Sequence, residues 1–534
     1  MLSFWSLFWE IHNQNQELAH MILTVSIVVL VLLWYKWTIP YTRKEKTRLP
    51  PGPYGLPIVG YLPFLGSNLH EKFTNMADTY GPIFSLRLGT KLHVIVNSMD
   101  LAKVIAHDLD HTFANRVPPL TALTITYGAS DVIWSNNNTH WRDMRKLLVS
   151  QVLSNTSINA CQIFRTRAVR NMMNGVYAKI GTKVDINKIA FDTDLDLVTS
   201  MLWGCSEAGE GDDSIFTGGG FREVEYKIVE LLGAPNISDY LPLLSCFDLQ
   251  GRQREMQRQL EYVDRNFNNI IKERIKVNSR NIERGDKKDE TKDFLQILLD
   301  IEDQKDTETS LNTDTATSFN IIHIKALLLD MVTAATDASS TMVEWVMAEI
   351  MHNPSVKKKV QDELTMVIGK NVVEESHLPK LSYLDAVIKE TFRLHPPLPL
   401  LIQRSPDETC KVGGYTIPKG TSVSMNIWAI HRDPKNWSNP LEFKPERFLD
   451  GKWDYYGNNM KYVPFGSGRR ICPGIVLGEK MLMYIVSSLL HSFDWRLPED
   501  EVSDLSEEFG FVTKKKNSLM AIPSQRFDDD SLYI

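Results

Sequence analysis

Between Leu18 and Trp37 the chain carries a predominantly apolar run, in which Met21 to Tyr35 reads MILTVSIVVLVLLWY. As a helix rising about 1.5 Å per residue, that run is long enough to cross the roughly 30 Å hydrocarbon of a bilayer. No other stretch compares, so the sequence divides into one membrane anchor and one large body that must fold in water. No Lys or Arg precedes Lys36, whereas Lys36, Arg43, Lys44, Lys46 and Arg48 follow closely. Positive charge in short flanks stays on the cytoplasmic side, which places the amino terminus in the lumen. Trp34 and Trp37 suit the interfacial belt, where an amphipathic ring meets both phases. A cleaved signal peptide is the competing reading, but no basic residues precede the run and Thr38-Ile39-Pro40 is a poor cleavage site. The expectation is an uncleaved anchor over residues 1–37 and a single-pass protein.

The next segment, residues 38–60, is basic and then proline-rich, ending Leu49-Pro50-Pro51-Gly52-Pro53-Tyr54-Gly55-Leu56-Pro57-Ile58-Val59-Gly60. Prolines fix φ and remove N–H donors, so this reads as a stiff hinge or a simple linker. Residues 61–534 show no repeats and no second composition regime, which favours one large domain. With 59 basic against 66 acidic residues, the net charge of -7 offers no general attraction to nucleic acid. Five cysteines, Cys161, Cys205, Cys246, Cys410 and Cys472, are odd in number and contain no C-x-x-C pair. They fit a reducing compartment and neither a disulfide framework nor a cysteine-rich zinc site.

Alternating apolar runs at Ile83 to Leu88 and His93 to Val96, separated by Gly89-Thr90, predict a hairpin. Helical periodicity follows at Glu223 to Leu232, Arg252 to Ile275, Asn320 to Met351, Ser355 to Ile368, Leu384 to Leu394 and Val476 to Leu489. The expected class is mainly α with small β-sheets. Asn278 to Asp293 and Glu302 to Ser318 hold few apolar residues and are expected as mobile surface loops. Tyr240 to Phe247, apolar and broken by Pro242, is either a bilayer-touching loop or a buried one.

The chemistry concentrates in Phe465-Gly466-Ser467-Gly468-Arg469-Arg470-Ile471-Cys472-Pro473-Gly474, followed by a helix. Its glycines permit tight turning, Arg470 supplies a fixed cation, and Cys472 presents a single thiolate suited to axial ligation of haem iron. The spelling F-x-x-G-x-R-x-C-x-G is similar to the signature of the cytochrome P-450 superfamily, and the chain resembles a plant, endoplasmic-reticulum member of it. The other four cysteines read as small buried hydrophobes.

The resemblance extends from about Pro50 to the end. Glu390-Thr391-Phe392-Arg393 resembles the family's E-x-x-R, and Pro445-Glu446-Arg447-Phe448 its P-E-R-F. The resemblance implies that Glu390, Arg393 and Arg447 lock the scaffold around the haem. Trp141-Arg142-Asp143-Met144-Arg145 resembles the W-x-x-x-R helix, which implies that Trp141 and Arg145, with Arg404 and Arg470, reach the haem propionates. Phe465, Trp141, Arg145, Arg404, Arg470 and Cys472 are thus the expected contacts of haem (heme b), with Cys472 its iron ligand. Ala334-Ala335-Thr336-Asp337-Ala338-Ser339 resembles the oxygen-activating A-G-x-D-T-T stretch, but Ala335 replaces the glycine and Ala338 the threonine. Ala338 offers no hydroxyl. Three readings stay open. Ser339 or Thr336 supplies the hydroxyl beside the acid Asp337, a substrate hydroxyl completes the chain, or the reaction needs no oxygen activation.

The resemblance implies a membrane-bound monooxygenase that takes O2 and electrons from NADPH through a flavoprotein reductase, with its catalytic domain cytosolic. Lys146, Arg469 and Lys480 are the cations offered for reductase docking. Pocket walls are expected from His111 to Asp131, Leu398 to Ile402 and Gly510 to Thr513, all rich in apolar residues, which favours a compact lipophilic substrate. Leu378 to Val387 and the carboxy-terminal region resemble the cadinene hydroxylase-like group, which implies a terpenoid substrate. The alternatives are a haem-thiolate isomerase or dehydratase, and a noncatalytic haem-binding partner in a metabolic complex.

Overall fold

Residues 18, 20–33, 48–204, 219–284, 292–308, 319–499 and 504–533 are described by the structure, a computed structural model. In chain order, the elements that position the site are β1 (Ile83–Leu88), β2 (Lys91–Val96), α1 (Thr139–Leu147), α2 (Ile186–Trp203), α3 (Gly219–Gly233), α4 (Arg252–Arg284), α5 (Phe294–Glu308), α6 (Ile321–His352), α7 (Pro354–Ile368), α8 (Ser382–Leu394), β3 (Ser422–Met425), α9 (Ile475–Ser492) and β4 (Lys514–Lys515). The class is mainly helical with small sheets, as the periodicity indicates.

β1 and β2 pair antiparallel from Ile83 opposite Val96 to Leu88 opposite Lys91, and β3 joins β2 in parallel. Gly89 is required at the turn. Its φ is +56°, and a Cβ there would come within 2.2 Å of the Tyr240 carbonyl oxygen. That carbonyl accepts the Thr90 N–H at 2.9 Å, which fastens the start of the Tyr240 loop to the hairpin. The loop itself turns outward, with Leu243 92% and Phe247 66% exposed.

Helix α6 is the spine. Asn320 accepts from the N–H groups of Ile322 and His323, while His323 Nδ1 accepts from the Asn320 N–H, so the first turn is closed reciprocally. Its amino-terminal half contributes Ile324, Leu327 and Leu328 to a core shared with α2, α4 and α5. Its carboxy-terminal half contributes Met342, Val343 and Val346 to a second core shared with α7, α8 and α9. Each fully buried aliphatic side chain of this kind contributes about 1.5–3 kcal/mol. The stretch between the halves, Ala334 to Ser339, borders the cavity described below.

Glu390 and Arg393 on α8 are fully buried. Arg393 Nε and Nη2 donate to the two Glu390 oxygens at 2.7 and 2.9 Å, and Arg447 Nε donates to Oε1 at 3.0 Å. Arg393 further donates to the carbonyls of His431, Pro440 and Glu442, so its buried charge is fully satisfied.

Several expectations change. Helix α4 continues through Asn278 to Arg284, and α5 runs through Glu302 to Glu308. Helices anchored by an apolar face extend readily into polar sequence of good helix propensity. Asp293 is buried rather than in a mobile loop, held by Arg274 at 2.8 and 2.6 Å. Residues 285–291 and 309–318 lie outside the described residues. Residues 50–60 are no free hinge: Ser85 of β1 donates its N–H to Pro51 O and its hydroxyl to Pro50 O, and Tyr61 N–H donates to Arg87 O. The apolar helix is described over His20–Leu33, shorter than a bilayer crossing, with large side chains 46–58% exposed. Trp34, Trp37, Cys205 and the basic residues from Lys36 to Lys46 lie outside the described residues.

Candidate active site

The loop that presents Cys472 is shaped by its glycines. Gly466 and Gly468 take φ of +74° and +68°, and a Cβ on Gly468 would sit 2.2 Å from the Ala106 carbonyl oxygen. The Cys472 N–H donates to Phe465 O at 3.0 Å, and Gly474 N–H points at the sulfur at 3.4 Å. Phe465 is wedged against Phe392 and Tyr455, with ring centroids 5.1 and 5.3 Å away. Burial raises the Cys472 thiol, opposed by the Gly474 N–H and the Arg145 guanidinium. The sulfur therefore faces a cavity with local support for negative charge.

Four guanidiniums line that same cavity: Arg116, Arg145, Arg404 and Arg470. Arg470 donates to the carbonyls of Ala114 at 2.7 Å, Val132 at 3.2 Å and Ser135, and lies 4.0 Å over the Trp141 ring. Arg145 donates to Ile471 O, and Arg404 to Ser467 O. Arg116 reaches Ile402 O at 2.6 Å, Gln403 O at 3.1 Å and Ile133 O at 3.2 Å. Burial followed by mutual repulsion from Arg145 and Arg404 pulls Arg470 down to about 9, and burial takes Arg404 to about 10. Arg404 Nη1 is buried without a hydrogen-bond partner, 3.6 Å from Asp110. Asp110 and Asp131 are the acids that face Arg470, and Asp110 also takes Arg469 at 3.1 Å, so guanidiniums outnumber carboxylates at this end of the cavity. One sulfur and a surplus of guanidiniums fit a haem: Cys472 would hold its iron through the thiolate, and Arg116, Arg145, Arg404 and Arg470 would meet its propionates. When bound, that haem supplies the redox chemistry of the site.

Trp141 is placed differently from Arg145. Its indole N–H donates to Val132 O at 3.0 Å and its ring supports Arg470, so it holds a neighbour of the cavity instead of lining it. Asn138 caps α1 by accepting the Trp141 N–H at 2.8 Å, which sets that register.

On the opposite wall α6 offers Ala334, Ala335, Ala338 and Ser339 to the cavity. Thr336 and Asp337 face away from it. The Thr336 hydroxyl meets Glu225 of α3 and Val332 O, and Asp337 is ion-paired with Lys514 of β4. Ser339 thus borders the cavity beside Ala338, while the Thr336 hydroxyl is engaged by Glu225 and Val332 on the α3 side. Burial raises Asp337 above the usual carboxylate range, opposed by Lys514.

The expected walls are present as Ile125 and Thr126, Leu398 with Leu401 and Ile402, and Phe511 with Val512. Sequence reasoning missed Val198 and Met201 of α2, Ile228 and Leu232 of α3, Glu225, and the place in the guanidinium cluster of Arg116, which lies within the expected His111 to Asp131 wall. Arg116 follows no spacing rule. Glu225 carried a readable sign, since Phe221, Glu225, Ile228 and Leu232 share one helical face and only one of them is polar. Of the cysteines expected as buried hydrophobes, Cys161 is buried, Cys410 is half-buried and Cys246 is exposed in the outward-turned loop. Arg469 is paired with Asp110 at 3.1 Å, with its side chain 46% exposed, and Lys480 with Glu375 at 3.3 Å. Lys146 is exposed.

The sequence pattern that defines the cytochrome P450 family matches residues 50–522. Cytochrome P450 76C2 of Arabidopsis thaliana is 35% identical over 508 residues, covering 94% of this chain and 96% of the relative. Ferruginol synthase of Salvia fruticosa is 35% identical over 94% of this chain and 98% of its own, and geraniol 8-hydroxylase of Catharanthus roseus 34% identical over 94% and 99%. A zebrafish cytochrome P450 solved with progesterone has TM-score 0.70 at 24% identity, covering 85% of this chain and 99% of that chain, which speaks to the fold. The chain belongs to the cytochrome P450 family.

Proposed function

We propose that the protein is a haem-thiolate monooxygenase that inserts one oxygen atom of O2 into a C–H bond of a small lipophilic plant metabolite, a terpenoid or terpenoid-derived compound. Electrons come from NADPH through a membrane-bound flavoprotein reductase. Residues 1–37 anchor the chain in the endoplasmic-reticulum membrane, with the catalytic domain on the cytosolic side. The observation that carries this reading is a single cavity with Cys472 and the guanidinium cluster at one end and apolar residues such as Ile125, Leu329, Met342 and Val512 over the rest. Such walls select compact guests by shape and burial, with few directed polar contacts. Support for the substrate class comes from relatives named for geraniol, drimenol and ferruginol. Leu243 and Phe247, exposed beside the hairpin, support membrane contact by the outward-turned loop.

Within the cavity the chain's own residues divide the work. Cys472 holds the iron, the four guanidiniums hold the propionates, the apolar wall excludes water, and Ser339 presents a hydroxyl one position beyond Ala338. The second reading, an isomerase or dehydratase independent of external electrons, is favoured by Ala338 alone. One experiment separates the two. Membranes containing the protein and a plant NADPH-dependent reductase are fed a panel of mono-, sesqui- and diterpenoids. The monooxygenase reading expects a product heavier by one oxygen only with NADPH, O2 and reductase present. A product formed equally without them supports the second reading and overturns the first.

A further inference from the structure

Two stretches of the cavity wall come from segments with little regular structure to hold them. Pro397 and Leu398 follow the end of α8, and Phe511 and Val512 lie in the turn of the hairpin that β4 forms with the strand Glu507–Glu508. That hairpin is a two-stranded sheet of two residue pairs, Glu507 opposite Lys515 and Glu508 opposite Lys514. An isolated two-stranded ribbon is marginal in water, so its tip is placed by what the surrounding residues grip. Lys514 is ion-paired with Asp337 of α6, and the Thr513 N–H donates to Pro397 O at 2.8 Å, which joins the two stretches of wall. The largest set of partners belongs to Glu507.

The Glu507 side chain is 9% exposed, and Oε1 lies 2.8 Å from His395 Nδ1 and 3.6 Å from Arg432 Nη2. Oε2 accepts the Trp428 indole N–H at 3.1 Å and lies 3.2 Å from Nε2 of His70, on the helix Leu69–Tyr80. His395 is the residue after α8, where the helix stops before Pro396. Its other ring nitrogen, Nε2, lies 2.7 Å from Oε1 of Glu349 on α6, whose Oε2 accepts from the Asn353 amide at 3.1 Å. A carboxylate only accepts, so an imidazole that meets carboxylates at both nitrogens donates at both and is a cation. The ring is stacked on Trp345, with centroids 3.9 Å apart and planes 3° apart, a π face that favours the charge. Burial opposes that charge, and the hydrogen bonds to Glu349 and Glu507 outweigh it, which holds His395 above the ordinary histidine range. Glu349, His395 and Glu507 thus form one charged bridge from α6 to the hairpin, two residues from Pro397 at one point and four from Phe511 at the other.

We propose that Glu507, held by His395, is a specificity-determining positioning residue: the bridge sets how the Phe511–Val512 tip stands against Pro397 and Leu398, and so the length and bulk of the lipophilic guest that the cavity admits. This rests on the reading of the cavity as the substrate site. Neither Glu507 nor His395 lines the cavity, so each acts through the wall residues beside it. Apolar packing is non-directional and leaves a short hairpin several positions of similar energy. A buried ionic bridge adds little net stability but has one geometry, and breaking one partner leaves the others unmatched. An amide in place of the Glu507 carboxylate presents an N–H either to His395 and Arg432 or to Trp428 and His70, all of them donors. Glu507→Gln therefore keeps the shape and gives up half the grip, and the tip is left to Thr513 and Lys514.

The test uses the full-length, haem-loaded protein and two probes that bind iron through nitrogen and extend an alkyl chain into the cavity, 1-butylimidazole and 1-dodecylimidazole. Each is titrated by the change in the Soret band. Retention of the sulfur-bound carbon monoxide band shows that a variant is folded and loaded. Glu507→Gln is expected to lower the ratio of the dodecyl to the butyl dissociation constant by about tenfold, the lower end of what one methylene of misfit changes in an apolar pocket. Glu507→Asp keeps the charge but stops one methylene short of its donors, and is expected to shift the ratio in the same sense, which serves where Glu507→Gln does not fold. Equal weakening of both probes, or an unchanged ratio in the folded variants, makes Glu507 a scaffold residue and overturns the proposal. So does failure of both variants to hold haem. A shifted ratio in a protein that turns over no terpenoid supports the bridge and contradicts the terpenoid reading, so the two failures are read separately.

Discussion

On the cysteine side of the cavity, position is fixed by main chain: glycines set the turn, and Arg116, Arg145, Arg404 and Arg470 each donate to carbonyl oxygens. On the α6 side it is fixed by titratable side chains, with Glu225, Thr336, Asp337 and Lys514 joined across three elements. Main-chain anchoring tolerates little substitution and little response to pH. A side-chain network can be retuned one residue at a time. The cysteine loop keeps all the fixed positions of the family spelling, while Ala335 and Ala338 on the cavity face of α6 depart from it.

The largest expected effect lies in the scaffold beneath the cysteine side. Arg393→Ala leaves the Glu390 carboxylate fully buried with Arg447 as its one cation and the Lys444 N–H as a further donor, and such breaks cost about 3–5 kcal/mol. The expected outcome in chemical denaturation is loss of the folded, pigmented protein at concentrations that leave the wild type intact. A variant as stable as wild type would show that Arg447 and the Lys444 N–H satisfy Glu390.

Arg470→Ala should act next. It takes a donor from the carbonyls of Ala114, Val132 and Ser135, of which Val132 keeps the Trp141 indole, and removes one cation from the cluster, at a cost of about 1–3 kcal/mol. Faster transfer of haem to an apo-globin acceptor is the expected readout. A transfer rate equal to wild type would mean that the remaining guanidiniums hold both propionates unaided.

A third comparison weighs the two hydroxyls on α6. Ser339→Ala should lower product formed per NADPH by about a hundredfold, the lower end of what a positioned proton donor contributes. Thr336→Val should lower it less, since that hydroxyl faces Glu225. Ala338→Thr should raise it. Equal effects of Ser339→Ala and Thr336→Val would erase the distinction between the cavity face and the rear face of α6.

A last effect concerns stability against pH. Glu225 is held in the folded state at about 8, above its ordinary 4.5, so between those values the folded protein binds more protons than the unfolded chain. Stability must therefore fall as pH rises through that window and level off above it. Thermal midpoints of wild type relative to Glu225→Gln should decline from about pH 5 to about pH 8 and then run parallel. A constant difference would show that Glu225 titrates alike in both states.

The cysteine side was legible because its residue types are dictated locally. Gly468 is forced by the Ala106 carbonyl and Cys472 by its thiolate chemistry, and both announce themselves in ten consecutive residues. The long helix α6 was legible from its period and its Asn320 cap. Arg116 was not, since its partners Ile402 and Gln403 are remote in sequence. Thr336 and Ser339 could be told apart only by helical phase against the cavity. The polar ends of α4 and α5 were misread as loops because low hydrophobicity does not distinguish a solvated helix from a coil. The docking of residues 50–60 on β1 depends on main-chain bonds to Ser85, which side-chain patterns do not report.

Everything on both sides presumes that the Cys472 sulfur is bonded to haem iron. Carbon monoxide binding to the reduced, purified, haem-loaded protein tests this directly. The account predicts the long-wavelength Soret band of a thiolate-bound ferrous centre in the wild type and its loss in Cys472→Ala. A folded, haem-containing wild type without that band, or a Cys472→Ala variant that keeps it, would contradict the account.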